Sequence, residues 1–365
     1  MSKNMYIDFH VIQTVPPSCV NRDDTGSPKT AMYGGAMRAR VSSQAWKRAM
    51  RQMFKELFTS EYMGYRTKKV SELVVNQICA DNEDLTAEDI GSTVKEALEL
   101  AGVKSGSDKK DALFFVSALQ IKNLADLAVK YYRDSASKDA KKKLYKPNLE
   151  KAVKDGPSVD ILLFGRMAAS NPSLNYDAAA QVAHSISTHR VSNEYDYFTA
   201  VDDCGGEDSA GAGHLGTVEF NSSTMYRYGT VNIRELAENL TGEELKMAAR
   251  GFAEAFIRSM PTGKQNTFAN RTLPNMVYVA VREDQPVNLA GAFERPVAAV
   301  NDGYVEESEK ALAAYAGRLY EDYGAKPAKA WVIGGNCEVF GERVNLAELL
   351  DRIEQAANTY FDEGK

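Results

Sequence analysis

A chain of 365 residues, 44% hydrophobic and 26% charged, is long enough to build its own core and sets an expectation of two or three compact units. Its four cysteines are far apart and lack any CxxC or Cys/His ligand spacing, which argues against a disulfide framework and a metal site and for a reducing, cytoplasmic setting. No charged-then-apolar leader and no apolar run of membrane-spanning length is visible, so a soluble, unexported protein with no membrane partner is expected.

The net charge of -6 excludes a uniformly basic nucleic-acid coat, but the charge is segregated. Residues 1–60 carry a balance of +5, which leaves -11 for the rest, and residues 25–55 hold no Asp or Glu at all. Such segregation favours a local anionic ligand.

Residues 6–13 alternate and read as a strand, followed by a Pro/Gly/Asp-rich excursion over residues 16–35 that reads as irregular. A helix should start at Ser42 or Ser43, because Ala45, Trp46, Ala49, Met50, Met53, Phe54, Leu57 and Phe58 recur at helical spacing. Gln44, Lys47, Arg48, Arg51 and Lys55 take the remaining surface. Residues 60–153 read as helix-rich, with amphipathic runs near 69–80, 87–100 and 112–132 and then the Lys-rich KDAKKKLYK; this looks like an insertion. Apolar density rises again around 160–167 and 178–191, consistent with a return to the core.

Two strand-like pieces, 195–201 and 215–220, flank a Gly-rich, partly acidic loop and describe a long hairpin arm. Beyond it come a strand (224–233), an amphipathic helix (243–260), a strand (275–281) and two terminal helices (306–323 and 345–361). The alternation predicts an α+β fold.

The cluster RARVSSQAWKRAMR sits where a helix begins. Free backbone N–H groups, the Ser42 and Ser43 hydroxyls, Arg38 and Arg40 could converge there on one phosphate, with Lys47, Arg48 and Arg51 extending the track. A solvated basic helix face is the ordinary alternative, but the absence of intrahelical carboxylate partners counts against it. GAGHLG, residues 211–216, matches a dinucleotide fingerprint but is followed by the strand-like TVEF rather than a helix. His184 and His189 lie five apart, and His10 and His214 complete no metal motif. Asp202 and Asp203 read as a solvated turn. In GRMAAS, residues 165–170, Arg166 and Met167 look exposed, although a helix end with a core Met is the plain alternative. Tyr195 and Tyr197 on one face of the arm and Phe198 on the other could stack on bases. Lys264 and Gln265 could add one backbone contact.

Taken in order, FHVIQ with PPSCVNRDD, YGGAMRARVSSQAWKRAMR, GRMAAS, VAHSISTHRVSNEYDYFTAVDD, GAGHLGTVEFNSSTMYRY and GKQNTFANRTLPNMVYV make the chain resemble the CasC-type backbone subunit of the type I-E CRISPR Cascade complex, nearly end to end. The resemblance implies an RRM-like (ferredoxin-like) palm with a helical fingers insertion and a β-hairpin thumb. On that pattern the palm would comprise residues 1–59, 181–192 and 224–365, the fingers 60–180 and the thumb 193–223. It implies a non-catalytic protein without cofactor that lines up head to tail with further copies of itself along a CRISPR guide RNA. Such a filament would kink the guide, present it to target DNA, and associate with other Cascade subunits.

By position, the resemblance implies phosphate or backbone contacts from Arg22, Lys29, Arg38, Arg40, Ser42, Gln44, Lys47, Arg48 and Arg51. It implies base contacts near the kink from Met167, and thumb contacts from Tyr197, Phe198 and Thr199. After Gly34 and Gly35, Ala36 and Met37 stand where relatives carry more positive charge, which shifts phosphate holding toward Arg38 and Lys29. Tyr197 stands where a Trp can occur. The rival class is a metal-independent guide-processing endoribonuclease of RRM-like type, with His184 or His189 as general acid/base.

Overall fold

In the computed structural model, which describes residues 4–103, 113–168, 171–199, 215–301, 303–335 and 338–363, the alternating N-terminal stretch forms β1 (Tyr6–Ser18). The segment expected to be irregular is partly strand. Pro16 and Pro17 lie past the last β1 pairing with its neighbour on one side and at an irregularity on the other, where a residue without an N–H breaks no ladder bond. A tight hairpin of β2 (Thr30–Tyr33) and β3 (Ala36–Val41) follows. Gly34 and Gly35, at φ +57° and +69°, supply the two left-handed positions that a two-residue connection of this kind needs. A Cβ on Gly34 would also strike the Glu294 carbonyl.

Helix α1 (Ser43–Leu57) then begins as expected, with Ser42 Oγ accepting the Ala45 N–H at 3.3 Å. Its apolar stripe buries Trp46, Met50, Met53 and Phe54.

The chain divides into two units, Met1–Met53 with Gln181–Lys365, and Phe54–Ala180. The second contains β4 (Gly64–Thr67), α2 (Val70–Asp81), α3 (Ala87–Leu100), β5 (Phe114–Ser117), α4 (Ala118–Arg133), α5 (Lys138–Lys154) and α6 (Val159–Phe164). Val74 and Ile78 of α2, Ile90, Val94 and Leu98 of α3, Leu124 and Ala128 of α4, and Leu149 and Val153 of α5 meet in one core. The run expected to be a single helix over 112–132 starts as strand β5, because Ser117 and Gln120 form a reciprocal capping box that starts α4 there.

The first unit resumes with β6 (Ala180–Val182), β7 (Ser185–Ser187), β8 (Glu194–Thr199) and the 18-residue β9 (Leu215–Asn232), then α7 (Ile233–Ala237), α8 (Gly242–Arg258), α9 (Gln265–Phe268) and β10 (Met276–Arg282). It closes with α10 (Val305–Asp322), β11 (Lys329–Gly334), β12 (Glu342–Arg343) and α11 (Leu346–Glu363). Strand β11 escapes a reading of the sequence because only Trp331 and Val332 of its six residues are buried.

The main sheet runs β12-β11-β10-β1-β9-β7-β3-β2, with β6 and β8 also pairing β9. Along that order every pair is antiparallel except β11 with β12, and β8 is antiparallel to β9. On one face Phe9 meets Phe252 and Phe256 of α8 at 5.5 and 5.6 Å between ring centroids. On the other, Ile12, Tyr226 and Tyr278 pack with Leu312 and Ala316 of α10. This three-layer α+β arrangement explains why β1 and β10 are buried on both faces.

Candidate nucleic-acid interface

The cationic segment is held in place by one asparagine that carries no signal in the sequence. Asn21 Oδ1 accepts the Ser42 N–H at 2.9 Å and its carbonyl accepts the Lys29 N–H at 2.8 Å, while the Lys29 carbonyl accepts the Arg40 N–H at 2.9 Å. Arg22 bridges Pro28 in the same loop. Arg22, Lys29, Arg40 and Ser42, which come from a loop, a strand and a helix start, are thus tied to one backbone scaffold. The Asp23 carboxylate accepts from Thr25 Oγ1 and from the N–H groups of Thr25 and Ser27, contacts that shape the loop and keep the carboxylate anionic. The Thr25 hydroxyl, ahead of those N–H groups, holds its pKa below the usual carboxylate value.

Arg22, Gln44 and Arg48 are exposed, and Lys29, Arg40, Lys47 and Arg51 are half-buried. Among the described residues none of Arg22, Lys29, Arg40 and Arg48 forms a salt bridge, although surface ion pairs are common elsewhere, as in Arg250 with Asp351 and Glu354. Arg40 donates through Nε to the Thr30 carbonyl (3.2 Å), and its Nη1 lies 3.1 Å from Nδ1 of the exposed His184. Burial first, then the charges of Arg40 and Lys29, lower the His184 pKa, so a neutral imidazole accepts from the guanidinium.

Arg38 departs from its expected role. Its side chain is fully buried, and its guanidinium donates to the carbonyls of Ser187, Thr188, Phe293 and Glu294. The alternation of β3 aims it into the fold and away from solvent, where it braces the hairpin against the chain around residues 187 and 293. Ser42 is likewise buried and spends its hydroxyl on the helix cap.

On the arm, β8 pairs with β9 from Glu194–Phe220 to Thr199–Leu215, and all six β8 residues are exposed. Phe198 lies opposite Gly216, where a Cβ would come within 2.3 Å of its ring, so the glycine makes room for the aromatic. Tyr195, Tyr197 and Thr199 take the other face of the strand. At the base, Phe220 packs on Phe268 of α9 at 5.8 Å. Gly263, just ahead of α9, sits so close to the carbonyls of Cys19 and Val20 that no Cβ fits, which brings Lys264 to the loop that carries Arg22. The charges of Arg22 and Lys264 both act on the Cys19 thiol, whose pKa burial nonetheless raises. Lys264 and Ala269 hold left-handed backbone at the two ends of α9.

In the second unit Met167 is 84% exposed and so is not a core methionine, whereas its neighbour Arg166, expected to be exposed, is buried. The Arg166 guanidinium donates to the carbonyls of Leu174, Phe115 and Val153 and to Gln120 Oε1, and the Ala168 N–H donates to Asn175 Oδ1. Met167 is therefore presented to solvent between two pinned residues.

His189 cannot act as a mobile acid or base. Nδ1 donates to the Arg190 carbonyl, Nε2 accepts the Thr224 N–H, and the ring stacks on Tyr304 at 3.7 Å. The described residues contain no cluster of three metal-ligating side chains and no helix long and apolar enough to cross a membrane. Asp202, Asp203, His214 and the glycines at 211 and 213 lie outside the described residues, as do Cys204 and Cys337. The segment after GAGHLG is strand β9, so the helix required by a dinucleotide fingerprint is missing.

The fold is a mixed α+β one whose described surface carries cations without carboxylate partners and, on the arm, exposed aromatic side chains. Residues 7–357 match the family model of CT1975-like protein, and the chain belongs to that family. Two solved structures are similar over nearly the whole length. A chain of a CRISPR RNA-guided surveillance complex described as pre-nicking superposes with a TM-score of 0.80 at 34% identity, covering 96% of this chain and 100% of that one. A chain of a CRISPR RNA-guided surveillance complex gives 0.63 at 30% identity, covering 96% and 99%. No curated protein sequence matches. The resemblance to a CasC-type subunit of a CRISPR Cascade complex, carried in the sequence by ordered motifs, is borne out by these matches.

Proposed function

We propose that this chain is a guide-RNA-binding backbone subunit of a type I-E surveillance complex. Copies lie head to tail along one guide, each gripping ribose-phosphate without reading its bases, kinking it and leaving the intervening segments open to target DNA. The strand order β10-β1-β9-β7, with α1 between β1 and β7 and α8 between β9 and β10, favours an RRM-like palm. The inserted unit Phe54–Ala180 would then be the fingers and the β8–β9 hairpin the thumb.

One observation carries the reading: a stretch without carboxylates, residues 25–55, is folded with the preceding loop so that Arg22, Lys29, Arg40 and Arg48 have no acidic partner among the described residues. Gln44, Lys47 and Arg51 extend that surface. Tyr197, Phe198 and Thr199 supply the thumb, and Met167 contacts bases next to the kink. The protein is a scaffold, not a nuclease. The His189 hydrogen bonds support that view, since both ring nitrogens are engaged in holding the backbone.

The test is RNA binding by an Arg22→Ala/Arg48→Ala variant, measured with two guides of unrelated sequence. Affinity should fall equally for both, and the slope of log K against log salt should shrink by about 0.7 for each phosphate that the variant no longer neutralises. A loss confined to one guide, or no loss at low salt, would refute the phosphate grip.

A further inference from the structure

The arm carries the opposite charge pattern to the cationic segment. Residues 194–219 contain seven carboxylates and no Lys or Arg, while residues 25–55 contain seven Lys/Arg and no carboxylate. Among the described residues of the arm, Glu194 and Asp196 stand on one face of β8, exposed and without a basic partner. Strand β8 pairs with β9 only from Phe220 outward, past Asn221, the last β9 residue paired with β1, so the arm leaves the sheet. Among the described residues these two carboxylates find no cation within their own copy.

The aromatic side chains of the arm can stack on bases, but its carboxylates repel RNA phosphates and are not what holds the backbone. The surface they do complement is the one formed by Arg22, Lys29, Arg40 and Arg48, which equally lacks an acidic partner among the described residues of its own copy. We infer that, without RNA, the carboxylate face of β8 in one copy docks on the cationic surface of a second copy and holds that surface until a nucleic acid displaces it.

The contact rests on the guide-RNA reading for what displaces it, and it gives that reading a regulatory partner. Exposed ion pairs are individually weak and are screened by salt, so the association is loose. A long guide, with a phosphate at every nucleotide, replaces the arm on many copies at once. A short stray RNA competes poorly. The arm therefore sharpens the preference for long RNA that binding by many copies already gives.

The experiment is sedimentation velocity of the full chain, stripped of nucleic acid, at about 50 mM and about 500 mM salt. The wild type should be partly self-associated at low salt and monomeric at high salt. Glu194→Gln/Asp196→Asn should be monomeric at both, with an unchanged melting curve, and should bind a short oligouridylate several-fold more tightly at low salt. Arg48→Glu should also be monomeric, and mixing it with Glu194→Lys/Asp196→Lys should restore association. A wild type that is monomeric at both salts, or a neutralised arm that associates and binds oligouridylate as the wild type does, overturns the proposal. Wild-type protein that self-associates in this salt-sensitive way but binds no RNA supports the contact and overturns the guide-RNA reading instead.

Discussion

The Trp46 indole N–H donates to Ser185 Oγ at 2.8 Å, and the Arg227 guanidinium stacks over the same ring at 3.9 Å. This fixes the rotation of α1 against β7 and β9, and hence which of its residues face out. With Trp46 inward, Gln44 and Arg48 point to solvent. Trp46→Phe keeps most of the apolar volume but leaves the fully buried Ser185 hydroxyl without this donor and weakens the stack. We expect a stability loss of about 2 kcal/mol, read as a lower urea midpoint. An unchanged midpoint would show that the indole N–H does not anchor the helix.

Arg38 and Arg48 lie ten residues apart in one cationic run, yet they should fail in different assays. Arg38→Ala removes a buried guanidinium from four carbonyls and should cost about 3 kcal/mol or more. Guide affinity per folded molecule should be unchanged. Arg48→Ala, at an exposed position, should leave the melting temperature alone and weaken guide binding at every sequence tested. Equal melting temperatures for the two variants would contradict the assignment.

That contrast marks what could be read from the chain alone. The helix at Ser43, the core position of Trp46 and the arm followed from periodicity and capping, which are local. The burial of Arg38 did not, because its four acceptors lie about 150 and 255 residues away in sequence. Arg166 was misread for the same reason: its carbonyl partners Phe115 and Val153 come from other elements. The hairpin at Gly34 and Gly35 is missed when residues 16–35 are read as irregular, although a Gly-Gly pair between two short runs is a turn signal. The neighbouring prolines masked it. Asn21 had no signal at all, for its role exists only once the loop lies against β3 and the start of α1.

His10 and Asp8 titrate in opposite senses beneath the sheet. Burial, with a smaller contribution from the Arg282 charge, pushes the His10 pKa down to about 3. Stability from this group is present above its unfolded value of 6.5 and is lost as pH falls toward 3. Burial pushes Asp8 up to about 6 against the favourable contacts from Val287 N–H, Tyr228 and Arg282, so its contribution is present below 3.8 and lost as pH rises through 6. The two oppose each other between those limits. His10→Phe removes one of them, and between pH 7 and pH 5 the variant should lose about 2 kcal/mol less than the wild type. Parallel pH profiles in urea unfolding would disprove the balance.

Arg166 and Met167 are adjacent in sequence and divide structure from recognition between them. The Arg166 guanidinium reaches four acceptors and lies 4.9 and 5.0 Å from the ring centroids of Phe114 and Tyr176. Burial lowers its pKa only to about 10, so it stays charged at neutral pH. A lysine carries the charge but not the planar fork, so Arg166→Lys should cost about 3 kcal/mol. It should be seen as loss of amide-exchange protection in Phe54–Ala180 before the rest of the chain. Met167→Ala should leave that protection unchanged, because the thioether is almost wholly in solvent. It should instead alter the nuclease footprint of a bound guide at positions spaced by one subunit. An altered exchange pattern in Met167→Ala would make the methionine structural, and an unaltered footprint would take it out of the RNA contact.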